Sequence, residues 1–192
     1  TSTKRQKLLN TTLSTQEKNI EKKKIGINEK KLILGIGQFI PRKGWDVLLR
    51  VMKEIPDDVA LCLVGGNPIE EYNKIVTQEN LKHIYFRDFM KNDELEHYYK
   101  AADIWGLVIN EAMGYGLPII STDQCVAALE LVKEGENGFI LPVNSDEKLR
   151  DKILLLLSDK QLAYEFSIES NKTISEYTIE NMAENYAEIL VM

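Results

Sequence analysis

The chain has 192 residues, of which 44% are hydrophobic and 28% charged; 24 Lys and Arg against 30 Asp and Glu leave a net charge of -6. That length supports one sizeable core and is short for two. The mild acidity argues against a general nucleic-acid binder, which carries a basic face, yet leaves room for a small phosphate ligand that needs only a local site. The longest apolar runs, such as Ile153 to Leu157, fall far below the roughly 20 residues of a membrane span. The polar, basic start reads as no secretory leader. Cys62 and Cys125 lie far apart, which excludes a disulfide scaffold or a Cys-rich zinc site and fits a reducing cytoplasm.

Residues 1–31 are Lys-rich and weakly apolar and read as an N-terminal helix and linker segment. Ser14-Thr15-Gln16-Glu17 has the spacing of a capping box, so a helix is expected from Thr15 to about Lys24, solvated on the surface and ended by Gly26 and Asn28. Its Lys cluster is weak evidence for peripheral association with anionic lipid. Leu32 to Ile36 reads as a buried strand closed by Gly35, Gly37 and Pro41, and Gly44 to Glu54 as a helix with Trp45, Val47, Leu48, Val51 and Met52 on one face. Val59 to Val64 is a second buried strand, closed by Gly65-Gly66-Asn67-Pro68. A helix from Ile69 to about Gln78 and a short strand from Ile84 to Phe86 follow. A helix from Asn92 to Ala102 takes Asn92 as its N-cap.

Further on, Leu117 to Thr122 reads as a strand, Val126 to Lys133 as a helix and Gly138 to Leu141 as a strand. Helices are expected over 146–157, 159–176 and 179–190. Short apolar strands alternating with helices imply an α/β, Rossmann-like, doubly wound parallel sheet with a helical C-terminal tail. Ligands of such sheets sit at the carboxyl ends of the strands, here the loops after Gly37, Val64, Phe86 and Thr122 and the chain near Gly106. One place breaks the alternation. Helical patterns over 92–102 and 106–114 nearly abut, leaving Asp103, Ile104 and Trp105 for the strand that must separate them. Either a strand from Ile104 to Ile109 precedes a very short helix, or a strand and loop are absent from the sequence at this point. The second reading is preferred.

Two stretches carry chemistry. Gly35 to Gly44 joins a strand to a helix through glycines and two cations, Arg42 and Lys43, a pattern suited to phosphate without the spacing of a Walker loop or dinucleotide fingerprint. Its bland alternative is a tight turn with exposed basic residues. Asp103 to Met113 places two acids, Asp103 and Glu111, with seven residues between them. If Gly106 opens a helix, its first amides meet a phosphate and Glu111 accepts hydrogen bonds from sugar hydroxyls. Otherwise Glu111 is a solvated helical residue. His83, His97 and Cys125 show no partner spacing for metal or nucleophilic chemistry and read as structural.

Gln38 to Gly44, the Val64-Gly65-Gly66 loop, Trp105 to Pro118 and Glu130 to Pro142 together resemble the donor-binding half of the retaining group 1 (family 4) glycosyltransferases, whose GT-B architecture sets two Rossmann-like domains across a cleft. The most specific parts are Pro41-Arg42-Lys43-Gly44, the run Gly106 to Pro118 and Glu134-Gly135-Glu136-Asn137-Gly138. The resemblance implies a nucleoside-diphosphate sugar as donor and no other cofactor or metal. It also implies a glycan or lipid-linked acceptor held by an N-terminal domain that this chain lacks. Lys43 matches the diphosphate-binding Lys; the usual Arg position, after Gly37, holds Gln38, with Arg42 nearby. Glu111 matches the ribose-binding acid, and the backbone of Gly106, Leu107 and Val108 the phosphate contact. Gly66 borders the crevice, and Phe89 and Met90 stand where the nucleobase is held. Asp103 has two readings: the first acid of the motif, touching the transferred sugar, or a structural residue at a helix end. A sugar-nucleotide epimerase domain and a non-catalytic flavodoxin-like binding module are the alternatives.

Overall fold

The structure, a computed structural model, describes residues 13–106 and 109–177. Its elements are α1 (Thr15–Lys24), β1 (Lys31–Ile36), α2 (Trp45–Val51), β2 (Val59–Val64), α3 (Glu70–Gln78), β3 (Ile84–Arg87) and α4 (Asn92–Ala101). Then come β4 (Ile104–Gly106), α5 (Ile109–Gly114), β5 (Ile119–Thr122), α6 (Val126–Leu131), β6 (Gly138–Leu141), α7 (Asp146–Ser158) and α8 (Lys160–Glu176). The helix expected over 179–190 lies outside the described residues.

All six strands pair in parallel in the order β3-β2-β1-β4-β5-β6. That is the Rossmann order rather than the 2-1-3-4-5 order of flavodoxin-like sheets, so the flavodoxin-like alternative falls. At the expected break near Ile104 a strand does form, shorter than the Ile104 to Ile109 of the first reading. Ile104–Gly106 is itself the strand, paired to β1 by Ile33↔Ile104, Leu34↔Trp105 and Gly35↔Gly106, and the helix after it has only six residues. Three residues suffice because β4 is flanked on both sides, by β1 and β5, so its ladder groups find partners in either direction.

Strand alternation feeds two cores. Leu32, Leu34, Ala60, Cys62 and Val64 pack under α4, α5 and α6, together with the fully buried Ile27. Ile33, Leu61, Leu63, Ile104, Ile120 and Leu141 pack under α2, α3 and α7, with Phe166 of α8. Trp45 lies directly on β1: a Cβ at Gly35 would sit 2.6 Å from its ring, so the second core needs glycine there.

The N-terminal helix departs from its expected role. Its capping box forms, with Ser14 Oγ accepting the Glu17 N–H and the Glu17 carboxylate accepting the Ser14 N–H at 2.8 Å. The helix nevertheless does not float in solvent. Lys22 is 2% exposed and donates to Asp103 Oδ2 at 2.9 Å and to the Lys30 carbonyl. Lys18 donates to the Ala102 carbonyl at 2.8 Å and stands 3.9 Å from Asp103. Lys31 Nζ reaches Asp103 at 3.4 Å, and the Leu32 N–H donates to the same carboxylate at 2.9 Å. His97 faces Glu21 at 2.6 Å and His83 faces Glu29 at 2.5 Å. Both histidines therefore fasten the N-terminal segment, in keeping with a structural reading. One smaller correction concerns α4, whose N-cap is Lys91 rather than Asn92; the Glu94 carboxylate accepts the Lys91 N–H at 3.1 Å.

Burial pushes the Asp103 pKa up, but the charges of Lys18, Lys22 and Lys31 outweigh it and hold the carboxyl below its ordinary value. A carboxyl depressed in the fold stabilises the protein above the unfolded pKa of about 3.9, and the contribution fades as pH falls through the folded value. Asp103→Asn leaves the buried Lys22 ammonium without its counter-charge, which costs about 3–5 kcal/mol. Chemical denaturation at pH 7 is expected to show that loss. The variant is also expected to lose less stability than wild type on acidification below about pH 4.

Candidate functional site

Strand order reverses between β1 and β4, and a crevice opens at the carboxyl ends there. Pairing of Gly35 with Gly106 sets the loop after β1 beside the chain leaving β4. The loop after β1 is closed by backbone. The Gly37 N–H donates to the Val64 carbonyl at 2.8 Å, and a Cβ at Gly65 would lie 1.8 Å from the Gly37 carbonyl oxygen. No side chain fits at 65, so the loops after β1 and β2 meet main chain to main chain. Gln38, whose carbonyl accepts the Trp45 Nε1–H at 3.0 Å, is tied into the loop by its backbone.

Pro41–Lys43 forms one 3-10 turn, with Ile40 extended before the proline and Gly44 left-handed (φ 65°) after it. Proline fixes its own φ and glycine supplies the positive φ, so the Pro-Arg-Lys-Gly sequence writes this turn locally. The turn carries Arg42 and brings Lys43 back over the glycine: its Cε is 3.9 Å from a Cβ built on Gly37. Lys43 is half-buried and makes no ion pair among the described residues. Most other lysines near the sheet are committed to carboxylates, so Lys43 is a cation available to a ligand.

Glu111 lies in the first turn of α5 and accepts a hydrogen bond from the Tyr99 hydroxyl of α4. Tyr99 is buried and stacks on Tyr115, centroids 4.9 Å apart and 5° from parallel. Burial, then the Glu111 charge, push its phenol pKa well above the ordinary value, so the hydroxyl keeps its proton and donates. Tyr99 was not legible as a site residue; its spacing in α4 reads as core. Glu111 itself is exposed, and one oxygen bonded to Tyr99 leaves the other open to a hydroxyl group.

Phe89 is 68% exposed, and its ring lies over Gly66, 2.8 Å from where a Cβ would stand. It is a crevice residue, not core packing. Met90 turns inward against the first core. Gly106 ends β4 at the crevice, whereas Leu107 and Val108 lie outside the described residues.

Asp103 is not brought to this site. It precedes β4 at the amino end of the sheet, bonded to the Leu32 N–H at the start of β1, while the crevice is at the carboxyl end. Its contacts here are with the start of β1 and the N-terminal helix, and the fold does not bring it to the crevice. The Glu134–Gly138 run is likewise a packing device. Asn137 is fully buried, donates to the Leu131 carbonyl at 3.0 Å and accepts the Lys133 N–H at 2.8 Å; the Glu134 carboxylate accepts the Ile140 N–H. Cys62 is buried, which pushes its thiol up to about 12. No group of three or more His, Cys, Asp or Glu capable of holding a metal ion gathers among the described residues.

The model of the family described as glycosyl transferases group 1 matches residues 17–180. The chain belongs to that family. An uncharacterised glycosyltransferase of Haemophilus influenzae is 29% identical over 184 residues, covering 89% of this chain and 52% of the relative. The fold is that of the C-terminal domain of such proteins. The C-terminal domain of a group 1 family protein, LpcC of Francisella tularensis, superposes with a TM-score of 0.76 at 22% identity, over 88% of this chain and 100% of that one. HepE of Anabaena, solved in complex with UDP, matches with a TM-score of 0.83 at 21% identity, over 96% of this chain and 54% of its own. The chain thus spans about half the length of the H. influenzae relative.

The interlocked loops give a direct test. Gly65→Ala is expected to force the loops after β1 and β2 apart, at a cost of at least about 1–3 kcal/mol as an overpacked position. Thermal unfolding with NMR shifts at Gly37 and Gln38 checks it; an unchanged melting temperature with unmoved shifts contradicts the backbone contact.

Proposed function

We propose that this chain is the donor-binding half of a retaining, metal-independent glycosyltransferase that takes a nucleoside-diphosphate sugar. The observation that carries the proposal is Lys43, lying over Gly37 at the strand-order reversal without an ion-pair partner among the described residues, in a chain of the group 1 family. A structural neighbour solved with UDP supports the ligand class.

In this reading Lys43, with Arg42 in the same turn, offsets charge on the diphosphate as the glycosyl bond to it breaks and the sugar passes to an acceptor hydroxyl. A preplaced cation in a partly buried loop stabilises that developing charge without reorganising water. Tyr99 orients Glu111, whose second oxygen accepts a ribose hydroxyl. Phe89 offers an exposed ring beside Gly66 on which a base stacks. The acceptor, a glycan or a lipid-linked glycan of polysaccharide biosynthesis, would be held by a further domain. The whole enzyme would work in the cytoplasm, at the membrane surface for a lipid-linked acceptor. Lys18, Lys22 and Lys31 take no part in lipid contact here, because they face Asp103.

Calorimetric titration with UDP, GDP and ADP tests the proposal. At least one is expected to bind, with affinity unchanged by EDTA. Lys43→Ala is expected to weaken it about tenfold or more, the loss of one charge-assisted contact. Glu111→Gln is expected to weaken the nucleoside diphosphate while leaving inorganic pyrophosphate unaffected. No binding by any of the three at millimolar concentration sinks the proposal.

A further inference from the structure

A cavity of about 550 Å³ lies between the sheet and helices α2 and α7, a size within the usual range of ligand sites. Ile33, Ile104, Ile120 and Leu141 of four neighbouring strands floor it, and Leu48 and Ile153 wall it from the helices. The strands explain the hollow. Gly35 pairs with Gly106, and alternation puts both on the face of Ile33 and Ile104, so two adjacent strands add no side chain at that step. Close-packed interiors rarely keep an apolar space of this size. An apolar cavity of even about 150 Å³ stays dry and takes up apolar molecules such as benzene.

One polar group at the cavity lacks a partner. Tyr72 of α3 lines it, is 1% exposed, and its hydroxyl makes no hydrogen bond among the described residues. Burial, then the charges of Asp46 and Glu71, push its phenol pKa up, so the group keeps a proton to donate. A buried donor left unpaired costs free energy, and a ligand oxygen relieves that cost. Asp46 and Glu71 also line the cavity, and their charge opposes an anionic ligand such as a fatty acid.

We propose that this cavity binds an uncharged aliphatic chain that ends in a hydroxyl or ether oxygen. The chain lies across the floor under α2 and α7, and the oxygen accepts from Tyr72. Four strands span about 14 Å at the usual strand spacing, which fits an octyl chain. Burial of its methylenes against an aliphatic floor supplies the affinity. The same chemistry comes from a free alcohol or from the alkyl end of a glycolipid whose sugar stays at the mouth, where the exposed Gln124 and Asn144 offer amides. The site is separate from the nucleotide crevice: Tyr99, which holds Glu111, packs in the first core, and the cavity floor belongs to the second.

Methyl NMR titration of the whole chain with octanol, octanoate and octyl glucoside, each below its micelle-forming concentration, tests the assignment. Octanol is expected to shift the methyls of Leu48, Ile120 and Ile153, and octanoate to bind at least about tenfold more weakly. Tyr72→Phe is expected to weaken octanol about two- to tenfold, the loss of one hydrogen bond. Leu149→Trp, in the α7 wall, is expected to abolish binding and to hold or raise the melting temperature; should it fail to fold, Tyr72→Phe carries the test. Octyl glucoside that shifts the same methyls assigns the chain to a glycolipid, and octanol alone assigns it to a free alcohol. No shifts with either, equal affinity for octanoate, or shifts that survive Leu149→Trp in a folded protein overturn the inference.

Discussion

The Asp103 carboxylate holds the frame on which the rest depends. It accepts the first N–H of the Leu32–Leu34 run and gathers Lys18, Lys22 and Lys31 around one buried charge. That contact ties the start of β1 to the residue just before β4. With the amino ends locked, parallel pairing carries the register upward until Gly35 stands beside Gly106. The crevice at the carboxyl end thus inherits its geometry from an ion cluster at the opposite edge. Buried charge is a poor source of net stability but a strong source of uniqueness, since any other register leaves it unpaired.

The same logic explains why a strand of three residues survives. β4 is short, but it lies at the centre of a six-stranded sheet and needs no turn of its own: Asp103 anchors it below, and α5 begins soon above. The N-terminal helix then becomes part of the domain rather than an appendage. Its lysines supply the counter-charges, Ile27 enters the first core, and Glu21 and Glu29 meet the two histidines of the chain.

Cations are divided between two tasks. At the amino end of the sheet they are committed to Asp103; at the carboxyl end Lys43 makes no ion pair among the described residues. A mildly acidic protein can therefore present a local positive site to one phosphorylated ligand while its overall charge repels polyanions. The backbone-to-backbone meeting of Gly37 and Gly65 keeps that site narrow, because no side chain intervenes between the loops.

Much of this was written in the sequence. The capping box at Ser14, the buried apolar runs of β1 and β2 and the Pro41–Gly44 turn follow from local chemistry and spacing, and the Gly106 to Pro118 run carries the family resemblance. Those are properties a chain carries within a few residues. The sequence did not determine the partners across the fold. Asp103 as cluster centre, Tyr99 as the donor to Glu111 and Asn137 as a buried staple depend on elements far apart in the chain. Periodicity places a residue on a face; only the packed structure decides which charge or hydroxyl stands opposite it, and at which end of the sheet.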